Sequence, residues 1–425
     1  MLSSKLKQNI WGVCKKVDIR RFAIGVLIGV MLLGVVGKVG AFDEVLVNGG
    51  ALWGPNASAQ IEANALKITS PSVVVIDTLN GRILYGKNAF KKRQIASTTK
   101  MMTAILAIEK SDLNDIVTVS KKAASVGGSQ AHLKVGEEIK MEHLLYALLL
   151  PSGNDAGVAI AEHIGGSVDE FVEMMDEKAQ EMGVYDTKFG SPHGLDRINH
   201  STAYDLALIA RYALQNTVFA RIVSTKSKVI PRQGWSQGSE YKNTNKLLFT
   251  YEGADGIKTG YTGPAGRCLV SSATRDDWQV IGVVLGANST YYRFDDSKKL
   301  LNYAFEHFSW ITVLEDGQMM ARIPVEKGQL DTVMVRNKGQ IGMYLHDSEL
   351  TRIERVFVLP NKLTAPVIGN QEIGEVIFKL DDVEIGRCKL YTAHAVSFWT
   401  IKMNWNKMIN HWFRVKEHLQ KHLSM

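Results

Sequence analysis

The chain has 425 residues, 45% of them hydrophobic and 22% charged, a composition that excludes a disordered or fibrous protein and leaves room for two or three domains. Its formal charge of +7 sits at the two ends. Residues 1–41 hold seven Lys/Arg against Asp18, and residues 396–425 hold five against Glu417. The body between them is slightly acidic and offers no phosphate-binding surface, so nucleic acid is not an expected partner.

The N-terminus has the three parts of a secretory signal. Lys5, Lys7, Lys15, Lys16, Arg20 and Arg21 precede the uncharged run Phe22–Gly37, and Val39-Gly40-Ala41 offers small residues for cleavage. The run is short for a spanning helix, so residues 1–41 are expected to be a signal peptide and the body to lie outside the cytoplasm. Residues 42–66, rich in Gly, Asn and Ala, are a leader segment.

Ser72–Asp77 and Arg82–Tyr85 flank Asn80-Gly81, a hairpin signal. The spacing then predicts helices from Ser97 to about Lys110, over Met141–Leu150, Ala156–Ile164, Val168–Met182 and Ala203–Leu214. Pro151-Ser152-Gly153-Asn154 is the loop between the second and third of these. From Gly256 the period changes: Gly256–Thr262, Arg267–Thr274 and Trp278–Leu285 read as three strands, and Tyr291–Phe308 as a closing helix. The whole of 67–308 is thus an α+β domain with helices packed on an antiparallel sheet. Residues 309–394, with short alternating runs between Gly, Asp and Asn, are a small all-β domain. In 395–425, Phe398, Ile401, Trp405, Met408, Ile409, Trp412, Val415 and Leu419 share one helical face opposite Lys, Arg and His, the build of a C-terminal amphipathic helix lying on a membrane surface.

Of the three cysteines, Cys14 leaves with the signal. Cys268 and Cys388 fall in different domains and are expected to be buried free thiols. No CxxC or HExxH occurs, so neither a metal nor another cofactor is expected.

Three short strings carry the chemistry: Ser97-Thr98-Thr99-Lys100, Ser152-Gly153-Asn154 and Lys258-Thr259-Gly260. They fall in order on a helix start, an inter-helix loop and a strand. Residues three apart on a helix share a face, so Lys100 can reach the Ser97 hydroxyl. A serine is a nucleophile only when a base takes its proton, and a lysine is a base only when neutral. Burial and a nearby cation both favour the neutral amine, and Lys258 can supply that cation. Ser152 is placed to pass the proton to a leaving amine, and Asn154 to hold the substrate amide and the Lys100 side chain. The strand of Lys258 and Thr259 can pair with an extended peptide, Gly260 leaves room for its approach, and the Ser97 backbone N–H is a candidate oxyanion donor.

With these strings in place, the chain resembles the low-molecular-mass penicillin-binding proteins of the serine D-Ala-D-Ala carboxypeptidase family, whose domain is the penicillin-binding/β-lactamase-like transpeptidase fold. The resemblance is carried by Ala96–Ala104, Leu149–Ala156, Pro192–Asp196, Asn243–Leu248 and Asp255–Gly260. It implies peptidoglycan stem peptides ending in D-Ala-D-Ala as substrates and β-lactams as covalent inhibitors. It also implies the backbone N–H of Tyr261 as the second oxyanion donor, although some relatives carry His there. His193 and Asp196 belong to a family phrase and are expected to be structural. A class A β-lactamase would need a Glu to activate the deacylating water, and none occurs between Glu181 and Glu240. A D,D-endopeptidase shares the three strings and stays open as an alternative. A non-catalytic peptidoglycan-binding protein would be expected to have lost Ser97 or Lys100.

Overall fold

A run such as Ser72–Asp77 (SVVVID), apolar without alternation, suits a strand covered on both faces, and all six residues are buried in the computed structural model. The structure describes residues 66–232 and 234–400, with Ile409 and Trp412, all within one compact unit. The expected signal peptide, nearly all of the leader and most of the C-terminal helix lie outside the described residues.

β1 (Ser72–Asp77) lies inside a five-stranded antiparallel sheet with β2 (Ile83–Lys87), β3 (Ala254–Thr262), β4 (Gly266–Arg275) and β5 (Trp278–Ala287), in the order β2-β1-β5-β4-β3. The turn into β2 uses the expected dipeptide: Gly81 has φ +76°, and the Asn80 side chain accepts from the Arg82 N–H at 3.0 Å. Period-two alternation sends Val74, Ile76, Ile281 and Val283 to one face and Val73, Val75, Val280 and Val284 to the other. Against the first face pack α1 (Lys100–Lys110), α2 (Met141–Leu149), α3 (Asn154–Gly165), α4 (Val168–Glu181), α5 (Ala203–Leu214) and α6 (Thr217–Ser224); α7 (Thr290–His307) closes the second through Leu300, Leu301 and Ala304. The sheet is therefore a middle layer.

Three local departures from the sequence reading matter for function. The stretch from Ser97 opens as a single 3₁₀ turn, Ala96–Thr99, before the α-helix begins at Lys100. Asn154 is the first residue of α3, not part of the preceding loop. The helix α6 and the hairpin of Ser227–Arg232 with Trp235–Lys242 were not anticipated.

Beyond residue 308 the chain forms a two-stranded sheet (Ser309–Leu314 with Ile341–Leu345) and a six-stranded one of Met319–Glu326, Thr332–Asn337, Ile353–Val358, Leu363–Thr364, Glu372–Leu380 and Val383–Thr392. Pairing continues past the boundary expected at 394. Val396 bridges Val367, Phe398 bridges Gly328, and the Trp399 N–H donates to the Lys327 carbonyl at 2.8 Å. Residues 396–399 thus belong to the β domain, because their backbone groups are satisfied there. Ile409 and Trp412 are helical and exposed.

The two domains meet at a buried ion pair. Arg82 Nη1 lies 2.9 Å from both Glu349 carboxylate oxygens, and Nη2 donates to the Tyr344 carbonyl at 2.8 Å. Beside it Trp278 stacks on Tyr344 at 3.9 Å and donates its ring N–H to Asp77 at 3.1 Å. Removing one partner of such a pair strands a charge in the interior, so Glu349→Ala should destabilise the protein by about 3 kcal/mol. Urea unfolding of both proteins measures this; equal midpoints would mean that the pair contributes nothing.

Candidate active site

The 3₁₀ turn sets the central contact. In that conformation residues i and i+3 eclipse, which places Lys100 over Ser97 with Nζ to Oγ at 3.1 Å. Lys100 is fully buried. Its Nζ also contacts Asn154 Oδ1 at 2.7 Å and the His193 carbonyl at 3.0 Å. Those two oxygens can only accept, whereas the Ser97 hydroxyl can donate. An ammonium would donate to all three oxygens, and a neutral amine would donate to two and accept the Ser97 proton, so the contacts admit the neutral form. Burial, then the Lys258 ammonium, hold the Lys100 amine well below the usual lysine range, with Asp155 acting weakly the other way.

The second string enters from the α2–α3 connection. Ser152 has φ +69°, and its hydroxyl is buried with no hydrogen-bond partner among the described residues. Such an orphan calls for an explanation, and a group awaiting a substrate is one. Gly153 passes so close to Ala147 that a Cβ would lie 2.9 Å from that carbonyl. Asn154 divides its amide: Oδ1 faces Lys100, and Nδ2 donates to the Gly127 carbonyl at 2.7 Å.

The third string lines the facing strand, β3, which is an edge of the sheet. Lys258 is buried and donates to the Thr259 carbonyl at 3.0 Å; burial, then Arg293, push its amine down to about 7. Thr259 Oγ1 lies 2.6 Å from Thr244 Oγ1. A Cβ on Gly260 would stand 3.1 Å from the Ser97 backbone nitrogen and 3.0 Å from the Ile95 carbonyl. The glycine therefore admits the Ser97 turn itself. The Tyr261 side chain is exposed, with its ring over the Arg267 guanidinium at 4.4 Å.

The structure brings Ser97, Lys100 and Asn154 into direct contact and adds groups that the strings do not name. Arg293 approaches the Gly260 carbonyl at 3.4 Å, and its Nε is buried without a partner among the described residues. Asp155 accepts from the N–H groups of Ala131 and Leu133 at 2.9 and 3.0 Å. Gly194 has φ +78°, and a Cβ there would fall 2.0 Å from the Ala96 carbonyl. Neither Arg293 nor Asp155 has a spacing signal; both become visible only when α7 and α3 are in place. The His193 imidazole is pushed down to about 4, chiefly by burial. Asp196 accepts from the N–H groups of Ile198 and Asn199 at 2.7 and 2.9 Å, which ties its loop together. Cys268 and Cys388 are free and buried. Among the described residues no three His, Cys, Asp or Glu side chains converge as a metal site.

Residues 58–289 match the family model described as D-alanyl-D-alanine carboxypeptidase, and residues 308–397 match the C-terminal domain of penicillin-binding protein 5. The D-alanyl-D-alanine carboxypeptidase DacF of Bacillus subtilis is 35% identical over 317 residues, covering 73% of this chain and 81% of its own. DacD of Escherichia coli is 33% identical, over 78% of this chain and 87% of its own. Among solved structures, penicillin-binding protein 5 of Haemophilus influenzae superposes with a TM-score of 0.64 at 31% identity, over 78% of this chain and 98% of its own. The Streptomyces K15 DD-transpeptidase gives 0.55 at 37%, over 56% and 98%. These structures share the α+β fold read from the sequence.

Gly194→Ala combines a left-handed backbone with a collision on the Ala96 carbonyl, so the Ser97 turn must move. Loss of at least ~1–2 kcal/mol of stability is expected, with a larger proportional loss of β-lactam acylation. A variant that acylates at the parent rate would show the turn to be indifferent to this contact.

Proposed function

The chain belongs to the D-alanyl-D-alanine carboxypeptidase family, and on that premise we propose that Ser97 is the nucleophile by which this serine peptidase removes the terminal D-Ala from peptidoglycan stem peptides. The observation that carries the assignment is the Lys100 amine, buried, 3.1 Å from Ser97 Oγ and facing two obligate acceptors. Lys100 takes the Ser97 proton as Oγ attacks the carbonyl of the penultimate D-Ala. The backbone N–H groups of Ser97 and Tyr261 hold the oxyanion, a contribution of about 10²–10³ in rate for each such donor. Ser152 passes a proton to the departing D-Ala amine and regains one from Lys100, which breaks the C–N bond, leaves an ester on Ser97 and returns Lys100 to its neutral form. Water then hydrolyses the ester, with Lys100 again as base. The D-Ala carboxylate lies toward Lys258, Thr259 and Arg293, where donors are in reserve.

A β-lactam follows the same first step, but its leaving amine stays tethered and obstructs the water path. Without a Glu between Glu181 and Glu240, nothing activates water along the β-lactamase route. Transfer of the acyl group to an amine instead of water is a second reading, favoured by the likeness to the Streptomyces K15 DD-transpeptidase. The secretory N-terminus supports a position outside the cytoplasm. Exposed Phe398, Trp399, Ile409 and Trp412, with the cationic tail, support peripheral attachment to the membrane surface.

Ser97→Ala should abolish both penicillin labelling and D-Ala release; labelling retained by that variant would sink the nucleophile assignment. Lys100→Arg keeps a cation but has no accessible neutral form, so acylation should fall by ~10³-fold or more. Wild-type acylation should decline on the acid side, as protonation removes the base, with a midpoint well below the ordinary lysine value. An acid limb unchanged in Lys100→Arg would assign the titration elsewhere.

The penicilloyl ester should last roughly minutes to hours against turnover of the peptide in seconds or less, followed by mass spectrometry. Rapid penicillin hydrolysis without an adduct would favour a β-lactamase. The full chain should sediment with anionic vesicles less strongly at high salt, and a chain ending at Thr400 should stay in solution. Identical partitioning of the two would remove the membrane assignment.

A further inference from the structure

The hairpin of Ser227–Arg232 and Trp235–Lys242 carries none of the three strings, yet it places a guanidinium in the interior. Arg232 forms a two-point ion pair with Glu137, through Nε to Oε1 and Nη2 to Oε2 at 2.7 Å. It also donates to the carbonyls of Ala131 and His132 at 3.2 and 2.8 Å. Tyr241, from the other strand of the hairpin, accepts from Arg232 at 3.0 Å and donates to the same Ala131 carbonyl at 3.1 Å. Glu137 in turn accepts from the Lys134 N–H at 2.9 Å. These bonds converge on one segment, 131–137.

The near end of that segment is tied to the reacting groups. The carbonyls of Gly127 and Ser129 accept from the Asn154 side chain and backbone, each at 2.7 Å. Ala131 and Leu133 donate to the Asp155 carboxylate. The remaining amide atom of Asn154 meets Lys100 Nζ at 2.7 Å. A displacement of 127–137 therefore moves the Asn154 amide, and with it one of the three partners that hold the Lys100 amine.

We propose that Arg232, fixed by Glu137, is a positioning residue for acylation: it anchors the 127–137 segment, the segment sets the Asn154 amide, and the amide sets Lys100. The inference rests on the reading of Lys100 as the base for Ser97. The charged or titratable groups facing Lys100 are Lys258 from β3, Asp155 from α3 and His193 from its loop. Arg232 is not among them, so its influence runs through position and hydration, not through its own charge.

The test uses the full chain with Arg232→Met, Arg232→Lys and the double variant Arg232→Met/Glu137→Leu. For each, the melting temperature, kcat and KM on a D-Ala-D-Ala peptide, and penicillin acylation against pH are measured. Arg232→Met should acylate ~10-fold or more slowly with KM nearly unchanged, as expected for a base displaced by a fraction of an ångström. Its acid limb should move to higher pH, because a wetter Lys100 holds its proton more readily. Arg232→Lys keeps the charge without the fork and should fall between Arg232→Met and the parent. The double variant removes the stranded Glu137 charge and should regain thermal stability but neither the rate nor the acid limb. A double variant with the parent's rate and limb would overturn the proposal. So would single variants whose losses follow their unfolded fraction alone while the limb stays in place. A parent protein that takes no penicillin label would instead bring down the Ser97/Lys100 reading, leaving these two outcomes distinct from it.

Discussion

The site is built around one lysine amine kept out of water: Lys100 is fully buried, and burial lowers its hold on a proton. Lys100 binds a proton in the unfolded chain at neutral pH and is held against doing so in the folded one. Between its folded value and the ordinary lysine value the unfolded state therefore carries the extra proton, and stability from this group rises with pH across that window. At working pH the folded state bears that penalty. It is offset by the extensive buried core on both sides of the sheet, and in the proposed mechanism it is what lets the amine accept the serine proton.

Close backbone approaches at two glycines hold the Ser97 turn in place. Gly260 brings β3 against the chain between Ile95 and Ser97, and Gly194 brings the 190–199 loop against Ala96. The same loop supplies the His193 carbonyl to Lys100, and Asn199 donates to the Thr99 hydroxyl at 2.8 Å. Asn245 donates to the Gly256 carbonyl at 2.6 Å, and the Thr244 N–H donates to Leu150 at 3.2 Å. Residues 244–245 thus tie the strand of the third string to the connection that carries the second. Each loop does local work, but their common product is the exclusion of water from one amine.

Sequence reading found what local physics encodes. The doubly buried strand Ser72–Asp77, the Asn80-Gly81 turn and the helix Ala203–Leu214 appear with their expected bounds, because periodicity and turn chemistry act within a few residues. The helix Thr217–Ser224 had a legible start, Asn216 capping Val218 and Phe219, but at eight residues its period is too short to stand out. Trp235–Lys242 (WSQGSEYK) has no apolar alternation, so nothing local marks it as a strand. Arg293, Asp155, Arg232 and Gly194 were illegible for another reason. Each matters through a partner distant in sequence, and a single chain read alone does not display such partners. The three strings were visible because their spacing is itself geometric: a one-turn separation between a hydroxyl and an amine survives the change from α to 3₁₀.

The two buried lysines show how partners, more than burial alone, sort chemical roles. Both amines are depressed by desolvation, and two ammonium groups cannot both persist in such surroundings. Lys100 is surrounded by three oxygens that suit a neutral amine with its lone pair toward Ser97. Among the described residues Lys258 donates to one carbonyl, that of Thr259, which leaves two donors for an incoming anion. Arg293 stands behind the same strand with its Nε unpartnered. On the nucleophile side, then, the hydrogen bonds of the base are already made. On the side where a carboxylate would arrive, cationic donors are held in reserve. An anion that occupies that side favours the charged form of Lys258 and leaves Lys100 as the amine that stays neutral. In the proposed mechanism this asymmetry assigns the proton to Lys258 and the lone pair to Lys100 before any substrate bond is touched.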